Sequence, residues 1–533
     1  MTQDLVVTGA RIIDGTGAPW FRGDLRVSGG RIAGIGTNLP KTGADVLDAA
    51  DRYLAPGFID AHCHDDLAFL RERERPEKAR QGVTSIVTGN CSFSLYPAPP
   101  HAVDLLRGHF SGLLGETARE EVFADFGGYK TALENPGIAL NLVSLVGHAA
   151  LRLAVMGYEK RPATPDEIRA MQVLLAPQIR AGAAGLSLGL VYPPSAFAEL
   201  PELVALAETV RDEGGILAAH VRSYEASLLR SIAEFITILR DSRVPGLLSH
   251  LQSAGRPNWG QIPKALALLE QTRAEGIDIS FDMYPYPAGS SYMLQLLPPS
   301  AQEGGLDALR ARLRNPAQHA ALKQWVEDGQ GGDTHIQSKI SLIGWGNVLI
   351  SGVTNPSLKS LEGSRMDAAA AQLGIDPFDL LVRFVEEDEG QTAIVMFQQS
   401  EDDLHAACCH RLHMVGSDGL PRPGTRPHPR AFGTFPRLIG PLRRDKGWFT
   451  LEDAVRRMTS VAAQRFSLHS RGLLRPGMIA DMVLFEDAVT DHATFEDPVQ
   501  APSGISDVWV AGQAAVADGQ ITGRLPGKVL GRG

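Results

Sequence analysis

Gly57-Phe58-Ile59-Asp60-Ala61-His62-Cys63-His64-Asp65-Asp66 closes an apolar run that begins at Leu54 and ends it with two histidines two positions apart. Along a strand, side chains at i and i+2 point the same way. Both imidazoles therefore reach a single ion at the strand's end, and neutral imidazole is a common ligand for zinc and its neighbours. Taken alone, so short a pair is more often two polar residues in a surface loop. The rest of the chain decides between these readings.

Seven more apolar runs of strand length follow: Val83 to Val87, Ala139 to Val146, Ala184 to Leu190, Ile216 to Ala219, Gly246 to Leu248, Ile277 to Phe281 and Leu412 to Val415. Amphipathic stretches such as Pro165 to Gln178, Pro201 to Glu213, Ala226 to Leu239 and Pro263 to Glu275 separate most of them. Strands alternating with helices imply a parallel sheet, and eight such strands imply an α/β protein of the (β/α)8, TIM-like barrel type, with its chemistry at the C-terminal strand ends. The connection between the seventh and eighth runs, about residues 287–410, is too long for a bare loop. It predicts an insertion with strands near Ile340 to Ile350 and a helix near Met366 to Glu387. Within it, Gly329 to Asp333 reads as a flexible tip, since no strand feeds it and no helix follows, as a phosphate cradle requires.

The chain ends have a different texture. Residues 3 to about 50 alternate short apolar runs with Gly-containing turns, a hairpin pattern. Similar strands return at Ala480 to Phe485 and Val508 to Gly512, after the turn Arg475-Pro476-Gly477. Because chain termini often lie close together, the two segments predict one small β-sandwich domain, built from 1–53 and 466–533, beside a barrel spanning 54–465.

The 533 residues are 44% hydrophobic and 21% charged, as in ordinary soluble globular proteins. A formal charge of −10 leaves no basic stripe, which argues against nucleic acid as a partner. No stretch reaches the roughly 18 uninterrupted apolar residues of a membrane span, and the opening Met-Thr-Gln-Asp-Leu lacks the basic and apolar regions of a secretory leader. The four cysteines, Cys63, Cys91, Cys408 and Cys409, are too few and scattered for a disulfide framework. A cytoplasmic protein is the expectation.

Residues of metal-ligand type recur where the predicted strands end: His62 and His64 after the first, Cys91 after the second, His148 after the third, His220 after the fifth and His250 after the sixth. The eighth leads into Gly416-Ser417-Asp418-Gly419. Singly, each has an ordinary explanation as a core histidine, a buried thiol or a turn aspartate. Gathered at one face of a barrel, they predict a metal site.

With these motifs in view, the chain resembles the amidohydrolase superfamily and, within it, the D-aminoacylase (N-acyl-D-amino-acid deacylase) family. The resemblance rests on Gly57 to Asp66, Gly89-Asn90-Cys91, Gly147-His148, Ala219-His220-Val221-Arg222, Ser249-His250-Leu251, Asp282-Met283-Tyr284-Pro285-Tyr286, Gly416 to Gly419 and Pro427 to Phe435. Many two-metal amidohydrolases bridge their ions with a carboxylated lysine after the fourth strand. Gly185 to Leu190 contains no lysine here, and a Cys91 thiolate can take its place. The resemblance implies that Cys91, His220 and His250 hold a tightly bound Zn2+, with His62 and His64 forming a possible second site. It makes Asp418 the acid-base catalyst, and Arg430, Tyr284 and Ser290 the partners of a substrate carboxylate. Tyr192 would lie near the scissile carbonyl, and His148 and Gln252 would complete the substrate pocket. Gln252 stands where family members carry lysine, Ser92 where they carry glycine, and Arg222-Ser223-Tyr224-Glu225 replaces their Arg-Ser-Glu. The implied reaction is zinc-dependent hydrolysis of a linear amide in a small carboxylate-bearing molecule, most simply an N-acyl-D-amino acid. The alternative is hydrolysis of a cyclic amide, as in hydantoinases and dihydroorotases, or of a dipeptide.

Overall fold

The structure is a computed structural model that describes residues 4–329 and 336–531. The Gly329 to Asp333 tip lies outside these apart from Gly329, which ends the helix Pro316–Asp328 in a left-handed conformation.

Eight parallel strands form the centre among the described residues. Phe58–Asp60 pairs with Val83–Thr88, which pairs with Asn141–Ser144. The third strand continues as Val146–Gly147 and passes the ladder to Gly185–Gly189, Ile216–His220, Gly246–Leu248, Ile279–Met283 and His413–Val415. The ring closes where the Ala61 N–H donates to Val415 O at 3.0 Å and Cys63 bridges Gly419 in parallel. Alternation along each strand explains the packing. Ile216 and Ala218 share a face with His220, and join Ile59, Ala61, Val143, Leu247 and Met414 in one apolar cluster sealed by Phe466 and Leu468. His220 follows at the end of that same face.

The run from Leu54 to Ile59, predicted as one strand, is two. Tyr53–Pro56 belongs to the sheet of the chain ends, and only Phe58–Asp60 enters the barrel. Gly57 makes the break: its N–H donates to Asp481 O at 2.8 Å, and a Cβ there would lie 2.2 Å from the Thr84 side chain. The terminal sheet has nine strands among the described residues. Met482–Thr490 pairs antiparallel with Tyr53–Pro56, which in turn runs parallel to Asp4–Ile12, so both ends of the chain share one ladder. The last segment leaves this sheet. Gly527 and Val529 bridge Ile138 and Leu142 at the barrel's third strand.

The long connection before the eighth strand carries its own apolar core, including Leu309, Ile350, Phe378, Phe384 and Ile394. Its antiparallel sheet runs Ala288–Tyr292, Ala393–Phe397, Val348–Gly352. The strands predicted near Ile340 to Ile350 are replaced by the helix Lys339–Ile343 and the strand Val348–Gly352, because Gly344 at φ 74° ends the helix. The single helix predicted over Met366 to Glu387 is likewise two, Met366–Leu373 and Pro377–Glu387. Gly374 turns left-handed at φ 66°, and Pro377 opens the second helix.

Candidate metal centre

At the C-terminal mouth of the barrel, two trios of potential ligands share one histidine. His62, Cys91 and His250 form the first, and His62, His64 and Asp418 the second, with the ligand atoms of each trio within 4.8 Å of one another. Cys91 Sγ lies 3.3 Å from His62 Nε2 and 3.5 Å from His250 Nε2. Asp418 Oδ1 lies 3.1 Å from His64 Nε2 and 3.6 Å from His62 Nε2.

The backbone is bent to bring these groups together. Cys91, His250 and Asp418 all take positive φ, at 51°, 33° and 48°. Outside glycine that conformation costs about 1–2 kcal/mol per residue and clusters at functional sites. Two glycines make room for the Cys91–Ser92 turn: a Cβ on Gly189 would stand 2.2 Å from Cys91 O, and one on Gly147 would stand 2.3 Å from Ser92 O. The Ser92 hydroxyl accepts the Ala149 N–H at 2.6 Å, tying the turn to the first residues of the helix His148–Met156.

The donor set fits a bound cation. Burial drives His64, His220 and His250 below the usual imidazole range, His250 to about 4, so each is a neutral ligand at pH 7. Nδ1 of all three is buried without a hydrogen-bond partner among the described residues. Burial pushes the Cys91 thiol up to about 11, opposed by the charge of His62. Burial also acts to lower His62, but the charges of Asp282 and Cys91 overcome it and raise His62 well above its ordinary value. A cation at this point relieves both, since a coordinating thiol is deprotonated outright. Asp418 is held well below the carboxylate range although burial works the other way, because Arg430, His64 and His62 favour its ionised form.

Second-layer contacts set the geometry. Asp282 Oδ2 lies 3.2 Å from His62 Nδ1, leaving Nε2 for the cluster, and Oδ1 accepts the His250 N–H at 2.9 Å. Asp60 accepts from the Ser417 backbone N–H at 2.7 Å, from its hydroxyl at 2.6 Å, and from the buried Lys78 ammonium at 2.7 Å, which fixes the loop carrying Asp418. The sequence reading assigned none of these roles. A carboxylate inside the wholly buried strand Ile279–Met283 is the signal that marks Asp282.

His220 falls outside both trios but lines the same cleft as Cys91, His250 and Asp418. Its ring stands 4.5 Å from that of His250, edge-on to Tyr192 at 5.0 Å and Tyr224 at 4.9 Å. His148 does not join the cleft. Its Nδ1 meets Ser195 Oγ at 2.9 Å and its Nε2 meets Glu202 at 2.8 Å, so both ring nitrogens serve a buried structural network. Tyr192, Gln252, Tyr284 and Ser290 do line the cleft. The Tyr284 hydroxyl donates to Gln252 Oε1 at 3.3 Å, and the Ser290 hydroxyl donates to Ile394 O at 2.9 Å. Arg430 stands behind this wall, fully buried, its guanidinium 4.5 Å from the Tyr284 ring and 2.9 Å from Asp418 Oδ2.

This barrel and its ligand series define a class. The chain belongs to the amidohydrolase family, whose model matches residues 45–245 and 358–516. Within that family it falls with the D-aminoacylases. It is 36% identical to the D-aminoacylase of Alcaligenes xylosoxydans xylosoxydans, covering 99% of this chain and 98% of that one. A solved D-aminoacylase with a binuclear metal centre, activated by one metal and attenuated by a second, is 35% identical with a TM-score of 0.81, covering 99% of each chain. N-acyl-D-glutamate deacylase from Bordetella bronchiseptica, solved with zinc and a phosphonate mimic of the tetrahedral intermediate, is 33% identical with a TM-score of 0.82, covering 100% of each.

Proposed function

We propose that this chain is a metal-dependent amidohydrolase that cleaves the linear amide of N-acyl-D-amino acids, releasing a carboxylate and a D-amino acid. The observation that carries the reading is the pair of ligand trios sharing His62, with Asp418 in one of them at the edge of the cleft. The thiol and imidazoles favour zinc, one ion on Cys91, His220 and His250 and a second between His62 and His64. Bound there, such an ion supplies Lewis acidity to a carbonyl oxygen and lowers the pKa of water.

The side chains then divide the remaining work. Asp418, kept ionised by Arg430, takes the proton of the attacking water and delivers it to the leaving nitrogen. Asp282 holds His62 in the tautomer that presents Nε2. Tyr284 and Ser290, backed by Arg430, receive the substrate carboxylate, Tyr192 stands beside the carbonyl, and Gln252 presents a neutral amide. The D-configuration is supported by the activities named for the relatives above. The same reading takes 1–53 and 466–533 as one small β-sandwich domain, supported by the shared ladder of Met482–Thr490 and Tyr53–Pro56. It places the protein in the cytoplasm, in keeping with its free thiols. Metal analysis with parallel assays of N-acetyl-D- and N-acetyl-L-amino acids tests the proposal. Activity in metal-free protein, or no preference for the D-substrate, would overturn it.

A further inference from the structure

Lys339 differs from the other charged groups of the cleft. It opens the helix Lys339–Ile343 of the insertion, is 9% exposed, and lines the same cleft as His220, His250, Gln252 and Asp418. Its Nζ lies 2.7 Å from Glu225 Oε1. Glu225 is itself 3% exposed, and its other oxygen accepts from the Ser223 hydroxyl at 2.8 Å and the Tyr224 N–H at 3.2 Å. The segment is docked on the barrel, since Gln337 Oε1 accepts the Ala226 N–H at 3.1 Å and Leu342 packs at Gly255. An ammonium carries three donors, and Glu225 takes one. Among the described residues no other protein partner takes the remaining two.

The neighbouring polar groups are placed differently. Arg430 is fully buried, paired with Asp418 and stacked on Tyr284. Gln252 is neutral and accepts from Tyr284 and from Gln398 at 3.2 Å. Lys339 is the cation among the described residues that itself lines the cleft, and a carboxylate entering beside Asp418 and Cys91 gains from pairing with it, because a desolvated anion left unpaired is costly.

We propose that Lys339 is a specificity-determining residue that contacts a carboxylate of the substrate, reaching it from the insertion while Glu225 holds the ammonium in place. The inference rests on the deacylase reading above. The carboxylate is either the α-carboxylate or that of an acidic side chain, and the test separates them. Metal-loaded full-length protein is compared with the double variant Glu225→Gln/Lys339→Met, which removes both charges and so leaves no orphaned buried carboxylate, and with Lys339→Arg. Substrates are N-acetyl-D-methionine, N-acetyl-D-glutamate and N-acetyl-D-methioninamide, with Kd measured by calorimetry beside KM and kcat. The double variant should raise KM and Kd at least tenfold where Lys339 touches the substrate, with kcat within threefold, and Lys339→Arg should recover most of the loss. A rise on both acids assigns the α-carboxylate, and a rise on the glutamate derivative alone assigns the side chain. Unchanged KM and Kd on both acids, or an equal loss on the amide, overturns the proposal. Wild-type protein that binds these ligands without cleaving them sinks the deacylase reading, while Kd still reports on Lys339.

Discussion

Asp418→Asn tests the acid-base step, with metal content as the control because Asp418 also belongs to the second ligand trio. Asparagine keeps the shape of aspartate and tolerates the left-handed backbone at φ 48° nearly as well, so no strain is added. What changes is charge. Asp418 loses the ability to take a proton, and Arg430, fully buried 2.9 Å away, loses its anionic partner. Proton transfer by a positioned side chain contributes roughly 10²–10⁴-fold to rate. At about 1.36 kcal/mol per factor of ten, that is about 2.7–5.4 kcal/mol of barrier. Breaking a buried ion pair costs about 3–5 kcal/mol of stability when one charge is left alone. The asparagine carbonyl still accepts from Arg430, so a loss toward the lower end is expected. The assay is kcat on N-acetyl-D-methionine, with metal content and a urea melt measured on the same preparation. A folded, metal-replete variant with kcat within fivefold of wild type would refute the assignment.

Three further changes probe the supporting structure. Asp282→Asn removes the carboxylate that orients His62 and should weaken metal binding about 10–100-fold in a chelator competition, with the fold intact. Gly189→Ala drives a methyl group to 2.2 Å from Cys91 O, so the Cys91 turn must move, and metal affinity should fall at least about tenfold by the same competition. His148→Ala should leave kcat within threefold of wild type but reduce stability by about 1–3 kcal/mol in a urea melt, since Ser195 and Glu202 lose a buried partner. Burial acts to raise Glu202 above its ordinary 4.5, but His148 and Arg152 hold it below that value. Its contribution to stability is therefore complete above about pH 4.5 and is lost as pH falls through the depressed value. His148→Ala should accordingly move the acid-unfolding midpoint upward.

The residues that the strand-end rule points to, His62, His64, Cys91, His220, His250 and Asp418, gather at one mouth, because a parallel barrel delivers its loops to one end and those residues sit within a few positions of an apolar run. The same rule picked out His148, and there it failed. A histidine at a strand end meets whichever helix packs over it, and here that contact supplies Glu202. The close approach of His62 to both Cys91 and Asp418 was beyond the sequence, since it depends on how left-handed residues aim their side chains. Lys339 had no signal at all, lying on a five-residue helix held between the insertion's own core and the barrel. The break in the run from Leu54 to Ile59 was hidden because both halves are equally apolar, and only the neighbours of Gly57 distinguish them.

The single-residue step at Gly57 bears on how the molecule moves. A hinge needs several residues whose dihedrals are free to change, and this junction has one. Its N–H is fixed to Asp481 and its α-carbon is pressed against Thr84. The tail that bridges the third barrel strand adds a second attachment on another side. The sheet of the chain ends is thus splinted to the barrel five residues before His62. The insertion, whose core is separate, is joined to the ligand series instead through the side chains that form the facing wall of the cleft.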